Sequence, residues 1–159
     1  MAEDKDRIYR ENFTKAMNIL ASRAFDLKVK EEQKSSVKQL YTGGDLLGVL
    51  PSGFGKSLIF HLLTLLEDCV IVVICPLKSI VNDQVKEAIS MGISAASLSN
   101  CVIEDIQLGK FQLVFSSVEE ALERKFLEAL KQEGAALKNQ LAAIVVDESH
   151  IVETWTGKK

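Results

Sequence analysis

The chain is poor in cysteine. Three residues among 159, Cys69, Cys75 and Cys101, are too few and too scattered for a disulfide framework or a zinc site. Cys69 and Cys75 bracket an apolar run and read as small buried hydrophobes, which fits a reducing, intracellular compartment. Long apolar runs are also missing. None approaches the roughly 18 residues of a membrane span, and the opening Met1-Ala2-Glu3-Asp4-Lys5 is too charged for a secretory signal. There is no excess of basic charge: a formal net charge of −3 argues against a strongly basic nucleic-acid binder but leaves room for a local contact surface. Internal repeats and low-complexity segments are absent. What is present is 47% hydrophobic and 26% charged. That is enough to build one core, in a length that suits one domain better than two.

The most informative stretch is Leu46-Leu47-Gly48-Val49-Leu50-Pro51-Ser52-Gly53-Phe54-Gly55-Lys56-Ser57. An apolar run, expected as a strand over 46–50, enters a Pro/Gly-rich loop that ends in Gly-Lys-Ser. This is the strand–loop–helix pattern of a P-loop. A polyphosphate needs several backbone N–H groups pointing at it, and a loop wraps that tightly only where side chains are missing, as at Gly53 and Gly55. The following helix directs its positive end at the same phosphates. In such a loop Lys56 reaches the outer phosphates and the Ser57 hydroxyl holds magnesium. Leu50 stands where the usual pattern has Gly or Ala.

Along the chain, residues 1–24 read as a docking helix with Ile8, Phe13, Ala16, Met17, Leu20 and Ala24 on one face. A second helical stretch runs to about Tyr41, and Thr42-Gly43-Gly44-Asp45 is a turn. Residues 56–66 form an apolar helix on which His61 has a packing role. The β-branched run 69–75 is expected to be a strand covered on both faces, as in a parallel sheet. A helix follows Pro76, with Ser79 as its candidate cap. Then come a short strand within 93–98, a short helix over 101–109 closed by Gly109, and a strand over 111–115 running into Ser116-Ser117. Residues 118–132 read as one amphipathic helix with Leu122, Phe126, Ala129 and Leu130 on its apolar face and a Glu120–Arg124 pair. Residues 141–146 form a last buried strand that ends in Asp147-Glu148-Ser149-His150. Alternating strands and helices predict a three-layer α/β domain with a mostly parallel sheet.

Ligands in such folds bind at the carboxyl ends of the strands. The polar clusters fall there: 51–57, Pro76–Ser79, Ser116–Glu119 and Asp147–His150. An apolar strand running into Asp147-Glu148 is what a nucleoside triphosphatase needs opposite its P-loop. Asp147 would bind magnesium, and Glu148 would polarise the water that attacks the γ-phosphate.

Asp147-Glu148-Ser149-His150 has the form of a DExH box. Together with Pro51-Ser52-Gly53-Phe54-Gly55-Lys56-Ser57 it resembles superfamily 2 helicases, and within them the RecQ family of DNA helicases. Phe25 and Lys30-Glu31-Glu32-Gln33 resemble that family's adenine-reading motif, Arg-x-x-Gln after an aromatic. An amide such as Gln33 can both donate to and accept from adenine. Lys30 stands where the family has Arg, and so lacks its planar stacking surface. Cys75-Pro76-Leu77-Lys78-Ser79-Ile80-Val81-Asn82-Asp83-Gln84 is similar to Ser-Pro-Leu-x-Ser-Leu-x-x-Asp-Gln, and residues 115–119 are similar to a Ser-Pro-Glu motif with Val118 in place of Pro.

The resemblance implies a RecA-like motor domain over 25–159, incomplete at its C-terminal end, that uses ATP and Mg2+. It further implies 3′→5′ DNA unwinding and, in a eukaryote, a nuclear location. It places Lys78, Ser79, Ser116 and Ser117 toward the nucleic-acid backbone. It makes Trp155 a candidate base-stacking residue, with burial against the domain as the alternative, and lets His150 link the nucleotide site to the following loop. A second RecA-like domain, which in this class supplies arginines worth about 10³–10⁵ in rate, is a missing partner. The chain alone is expected to bind ATP weakly and not to unwind DNA. Two other readings stay open. A P-loop GTPase or small-molecule kinase is one, although no Asn-Lys-x-Asp guanine motif occurs. A catalytically inactive helicase-like fragment that binds nucleotide, DNA or a partner is the other.

Overall fold

The computed structural model describes residues 2–22, 28–48 and 54–147. The chain forms two compact units, Met1–Asp68 and Cys69–Lys159. Among the described residues no helix is long and apolar enough to cross a membrane.

The first unit holds three helices: α1 (Ala2–Ser22), α2 (Glu31–Tyr41) and α3 (Ser57–Leu66). The buried seam of α1 is Tyr9, Ala16 and Leu20, while Ile8, expected on that face, is 45% exposed. Tyr9 takes the inward place because its ring lies 5.2 Å from that of Tyr41 while its hydroxyl donates to the Lys34 carbonyl at 3.4 Å. A Tyr is amphipathic enough to do both. Helix α3 is buried nearly all round, at Ile59, Phe60, His61, Leu62, Leu63, Thr64 and Leu66, as its composition requires. His61 is 1% exposed and meets Phe60 edge-on at 5.0 Å. Burial lowers its pKa to about 4, which keeps the ring neutral. The strand expected over 46–50 does not form in its described part: residues 46–48 carry no regular structure and Leu47 is 81% exposed. A strand exists only through pairing, and no neighbouring strand pairs with this segment among the described residues.

The second unit contains β1 (Val70–Cys75), α4 (Lys78–Ser90), β2 (Ala95–Ser97), α5 (Ile103–Gln107), β3 (Leu113–Ser117), α6 (Val118–Ala121), α7 (Arg124–Lys131), α8 (Ala136–Gln140) and β4 (Leu141–Val146). The sheet order is β2-β3-β1-β4, and every pairing is parallel. Handedness then dictates the layers. The crossover from β1 to β2 runs one way across the sheet, while those from β2 to β3 and from β3 to β4 run the other way. Right-handed connections therefore put α4 on one face and the later helices on the opposite one. The core agrees: Val70, Val72 and Val114 pack with Ile106 of α5, Phe126 of α7 and Leu137 of α8. The alternate residues Ile71, Val73, Leu113 and Phe115 are also at most 1% exposed. The expected three-layer α/β architecture is thus present within this unit.

Three sequence expectations need correction here. Strand β4 is not covered on both faces, since Ile144 and Val146 are 53% and 42% exposed. It is an edge strand among the described residues, and apolar composition alone does not reveal an edge. The helix expected over 118–132 is two helices, because Glu123 takes an extended conformation (φ −62°, ψ 137°) and leaves Leu122 67% exposed. Ser79 is not a cap: α4 begins at Lys78 after an extended Leu77, with no side-chain cap.

Candidate nucleotide and nucleic-acid sites

In the first unit, α2 presents Gln33 to the phosphate-loop segment. Gln33 is 2% exposed. Its Nε2 donates to the carbonyls of Phe54 at 3.2 Å and Gly55 at 2.9 Å. Its Oε1 accepts the Lys30 N–H at 2.9 Å. Both amide protons are therefore committed to the loop, and one acceptor lone pair remains. Lys30 reaches the same loop: its Nζ donates to the Phe54 carbonyl at 3.4 Å and lies 3.9 Å from the centre of the Phe54 ring, a cation–π contact. A lysine can make this contact without the guanidinium plane that the family motif would supply. Gln33, Lys30, Phe54 and Gly55 thus form one cluster.

Gly55 has φ +87°, in the left-handed region where a side chain costs about 1–2 kcal/mol. A Cβ there would also stand 2.8 Å from Gln33 Nε2. Gly55→Ala is expected to lower the melting temperature by about 2–4 °C per kcal/mol lost and to weaken nucleotide binding. Thermal melts with and without ATP test this, and an unchanged melt with unchanged ATP affinity would refute it.

Lys56 and Ser57 open α3. That helix start has no side-chain cap and no acidic residue in its first turn, so its positive end is not neutralised locally and suits an anion. The Ser57 hydroxyl is a hard oxygen donor of the kind Mg2+ prefers. Lys56, Ser57 and the open helix end fit a magnesium nucleotide.

In the second unit all strands point the same way, so the carboxyl ends of β1, β3 and β4 share one edge of the sheet. Asp147 directly follows β4, and its N–H donates to the Ile74 carbonyl at 3.0 Å. It lies close enough to Cys75 that its carboxylate adds to burial in raising that thiol to about 11, so Cys75 stays protonated. Lys78 and Ser79 are exposed at the start of α4. Ser116 and Ser117 are buried, at 0% and 3%. Ser116 Oγ donates to the Ser117 carbonyl at 3.0 Å, while Ser117 Oγ accepts the Glu120 N–H at 3.3 Å.

Glu120 is the residue that sequence reasoning misassigned. It does not pair with Arg124, which instead meets Glu128 at 2.8 Å because the break at Glu123 rotates the two apart. Glu120 Oε2 accepts the Ser117 N–H at 3.1 Å, completing a capping box. Its Oε1 lies 3.1 Å from Lys78 Nζ. Burial pushes its carboxyl upward, but the Ser117 N–H and the Lys78 ammonium outweigh burial and hold it below the usual range. The Ser-x-x-Glu spacing of Ser117 and Glu120 was the available signal. Ser52, Gly53, Glu148, His150, Trp155 and Phe25 lie outside the described residues.

The family model described as DEAD/DEAH box helicase matches residues 30–159. Among curated relatives, the ATP-dependent helicase wrn-1 of Caenorhabditis elegans is 30% identical over 132 residues, covering 79% of this chain and 12% of the relative. ATP-dependent DNA helicase Q-like 5 of Arabidopsis thaliana is 27% identical over 154 residues, covering 92% and 16%. The probable ATP-dependent DNA helicase RecS of Bacillus subtilis is 26% identical over 133 residues, covering 79% and 26%. The chain therefore spans between 12% and 26% of the length of these relatives.

Proposed function

The chain belongs to the DEAD/DEAH box helicase family and has RecQ-family helicases as relatives, and from that premise we propose that it is the ATP-binding portion of a RecQ-like 3′→5′ DNA helicase. The observation that carries this reading is the cluster in which Gln33 and Lys30 hold the loop carbonyls next to Lys56 and Ser57. An adenine-reading amide tied to a phosphate-binding loop is a way to make phosphate geometry depend on the base.

In this reading Ser52, Gly53, Phe54 and Gly55 wrap the phosphates with backbone N–H groups, and Lys56 neutralises the outer ones. Ser57 would hold Mg2+, which when bound supplies charge compensation to the phosphates, and Asp147 is a second candidate ligand by its place in the DExH motif. Glu148 orients and deprotonates the attacking water. Gln33 accepts from adenine with its remaining lone pair and donates only by releasing a loop carbonyl, so base recognition reaches the loop directly. Lys78, Ser79 and the backbone around Ser116 and Ser117 face the DNA strand. Trp155 stacks on a base. In this reading unwinding requires a second RecA-like domain that closes the nucleotide site. These 159 residues alone bind ATP and DNA without separating strands.

Competitive titration of the Mg2+-loaded chain with ATP and GTP tests the reading. ATP is expected to bind more tightly, and a preference for GTP would overturn it. ATP binding with no DNA-stimulated turnover in the longer protein would favour an inactive helicase-like binding role instead.

A further inference from the structure

The Lys78–Glu120 pair is asymmetric. The Lys78 side chain is 72% exposed, whereas that of Glu120 is 12% exposed. Glu120 is also held in place by reciprocal hydrogen bonds with Ser117, so the carboxylate is the fixed member and the ammonium the movable one. Lys78 is the first residue of α4, whose opening turn contains no acidic residue and no side-chain cap. Its charge and the positive helix end would otherwise face solvent together at the carboxyl edge of the sheet, a surface attractive to phosphate. The buried carboxylate 3.1 Å away cancels much of that attraction.

We propose that Glu120 is a resident competitor for the nucleic-acid backbone: it occupies the Lys78 ammonium that a phosphate would take, and so tempers the affinity of this edge for single-stranded DNA. The proposal rests on the reading of this edge as a DNA-contacting surface. A strand docking here draws Lys78 off Glu120 and onto a phosphate, while Glu120 stays in its cap. Affinity is thereby held down, as a translocating protein that must release each phosphate requires. Glu120 is a positioning residue in this scheme, acting only through Lys78.

The two roles of Glu120 separate cleanly. Gln at the third position of a capping box accepts the N-cap N–H as Glu does, so Glu120→Gln keeps the cap and removes the competing charge. Binding of a fluorescein-labelled oligo-dT of about 20 nucleotides is followed by anisotropy between about 50 and 200 mM salt. Glu120→Gln is expected to tighten binding up to about fivefold, the most that one exposed ion pair is worth, at an unchanged slope of log K against log salt, because the Lys78–phosphate contact forms in both proteins. In a Lys78→Ala background the gain is expected to vanish, whereas a mere change in net charge would act equally in both backgrounds. The melting temperature of Glu120→Gln should fall less than that of Glu120→Ala, which loses the cap as well as the charge. If Lys78→Ala weakens binding but Glu120→Gln fails to tighten it, or tightens it regardless of Lys78, the competitor role is wrong and the DNA-facing edge stands. If wild type, Lys78→Ala and Glu120→Gln bind alike, or none binds, the DNA-facing edge is itself refuted and the competitor role with it.

Discussion

Lys56→Ala is expected to weaken Mg2+–ATP binding about 10- to 100-fold, and to abolish turnover in any longer form of the protein that hydrolyses ATP. The ammonium makes charge-assisted contacts to phosphate oxygens, and such contacts are worth about 1.5–3 kcal/mol. Among the described residues nothing else near the start of α3 replaces it: the first turn of that helix brings no further basic residue, and Lys30 is engaged with Phe54. The stability cost is small, because Lys56 is partly exposed and contributes its backbone carbonyl rather than its side chain to the helix start, accepting the Ile59 N–H at 3.2 Å. Titration calorimetry of wild type and variant, with melts of both proteins, measures the two quantities separately. Equal ATP affinities would remove Lys56 from the phosphate site.

The second large effect is acid destabilisation through His61. The ring is 1% exposed, its Nε2 has no hydrogen-bond partner among the described residues, and its pKa is near 4 in the fold against about 6.5 in the unfolded chain. Between those values the unfolded chain binds a proton that the folded chain refuses, so stability falls as pH drops. The contribution is fully present above about pH 6.5, declines from there, and is lost once pH passes below about 4. Over that window the loss is about 3 kcal/mol, at 1.36 kcal/mol per pH unit. His61→Leu should abolish this slope, and it orphans no partner of Nε2. The Glu67 carboxyl, raised by burial, contributes a slope of opposite sign. It is common to both proteins, so the difference between them isolates His61. Urea denaturation at pH 7.5, 6 and 5 is the measurement. A stability difference between the two proteins that does not change with pH would refute the assignment.

The elements legible in the sequence were those whose signal is local. The β-branched run at 70–75 could only be a covered strand. The apolar stretch at 57–66 had the length of a helix and no polar face to leave in water. The Gly-Lys-Ser ending called for a tight turn free of side chains, and Gly55 takes a φ of +87° there. The misreadings share one cause. Residues 118–132 have helical periodicity throughout, yet the ladder breaks at Glu123. Glu120 cannot serve both the capping box with Ser117 and a pair with Arg124. The cap and the contact with Lys78 win, because the mostly covered Glu120 carboxylate needs fixed partners, whereas an exposed i,i+4 pair is worth only a few tenths of a kcal/mol.

The composition, the periodicities and the spacing of the motifs by themselves determined the α/β class, the parallel sheet, the glycine-bearing turn that leads into α3 and the acid that ends β4. Each depends on residues close together along the chain or on a repeat that needs no knowledge of neighbours. Only the tertiary structure decided that Gln33 is a strut of the loop, that Lys78 is held by Glu120 rather than left free, that Ser116 and Ser117 are buried, and that β4 is an edge among the described residues. Those outcomes follow from which polar groups compete for the same partner across separations of 21 to 42 residues. Burial settles such competitions, and burial is a property of the assembled fold.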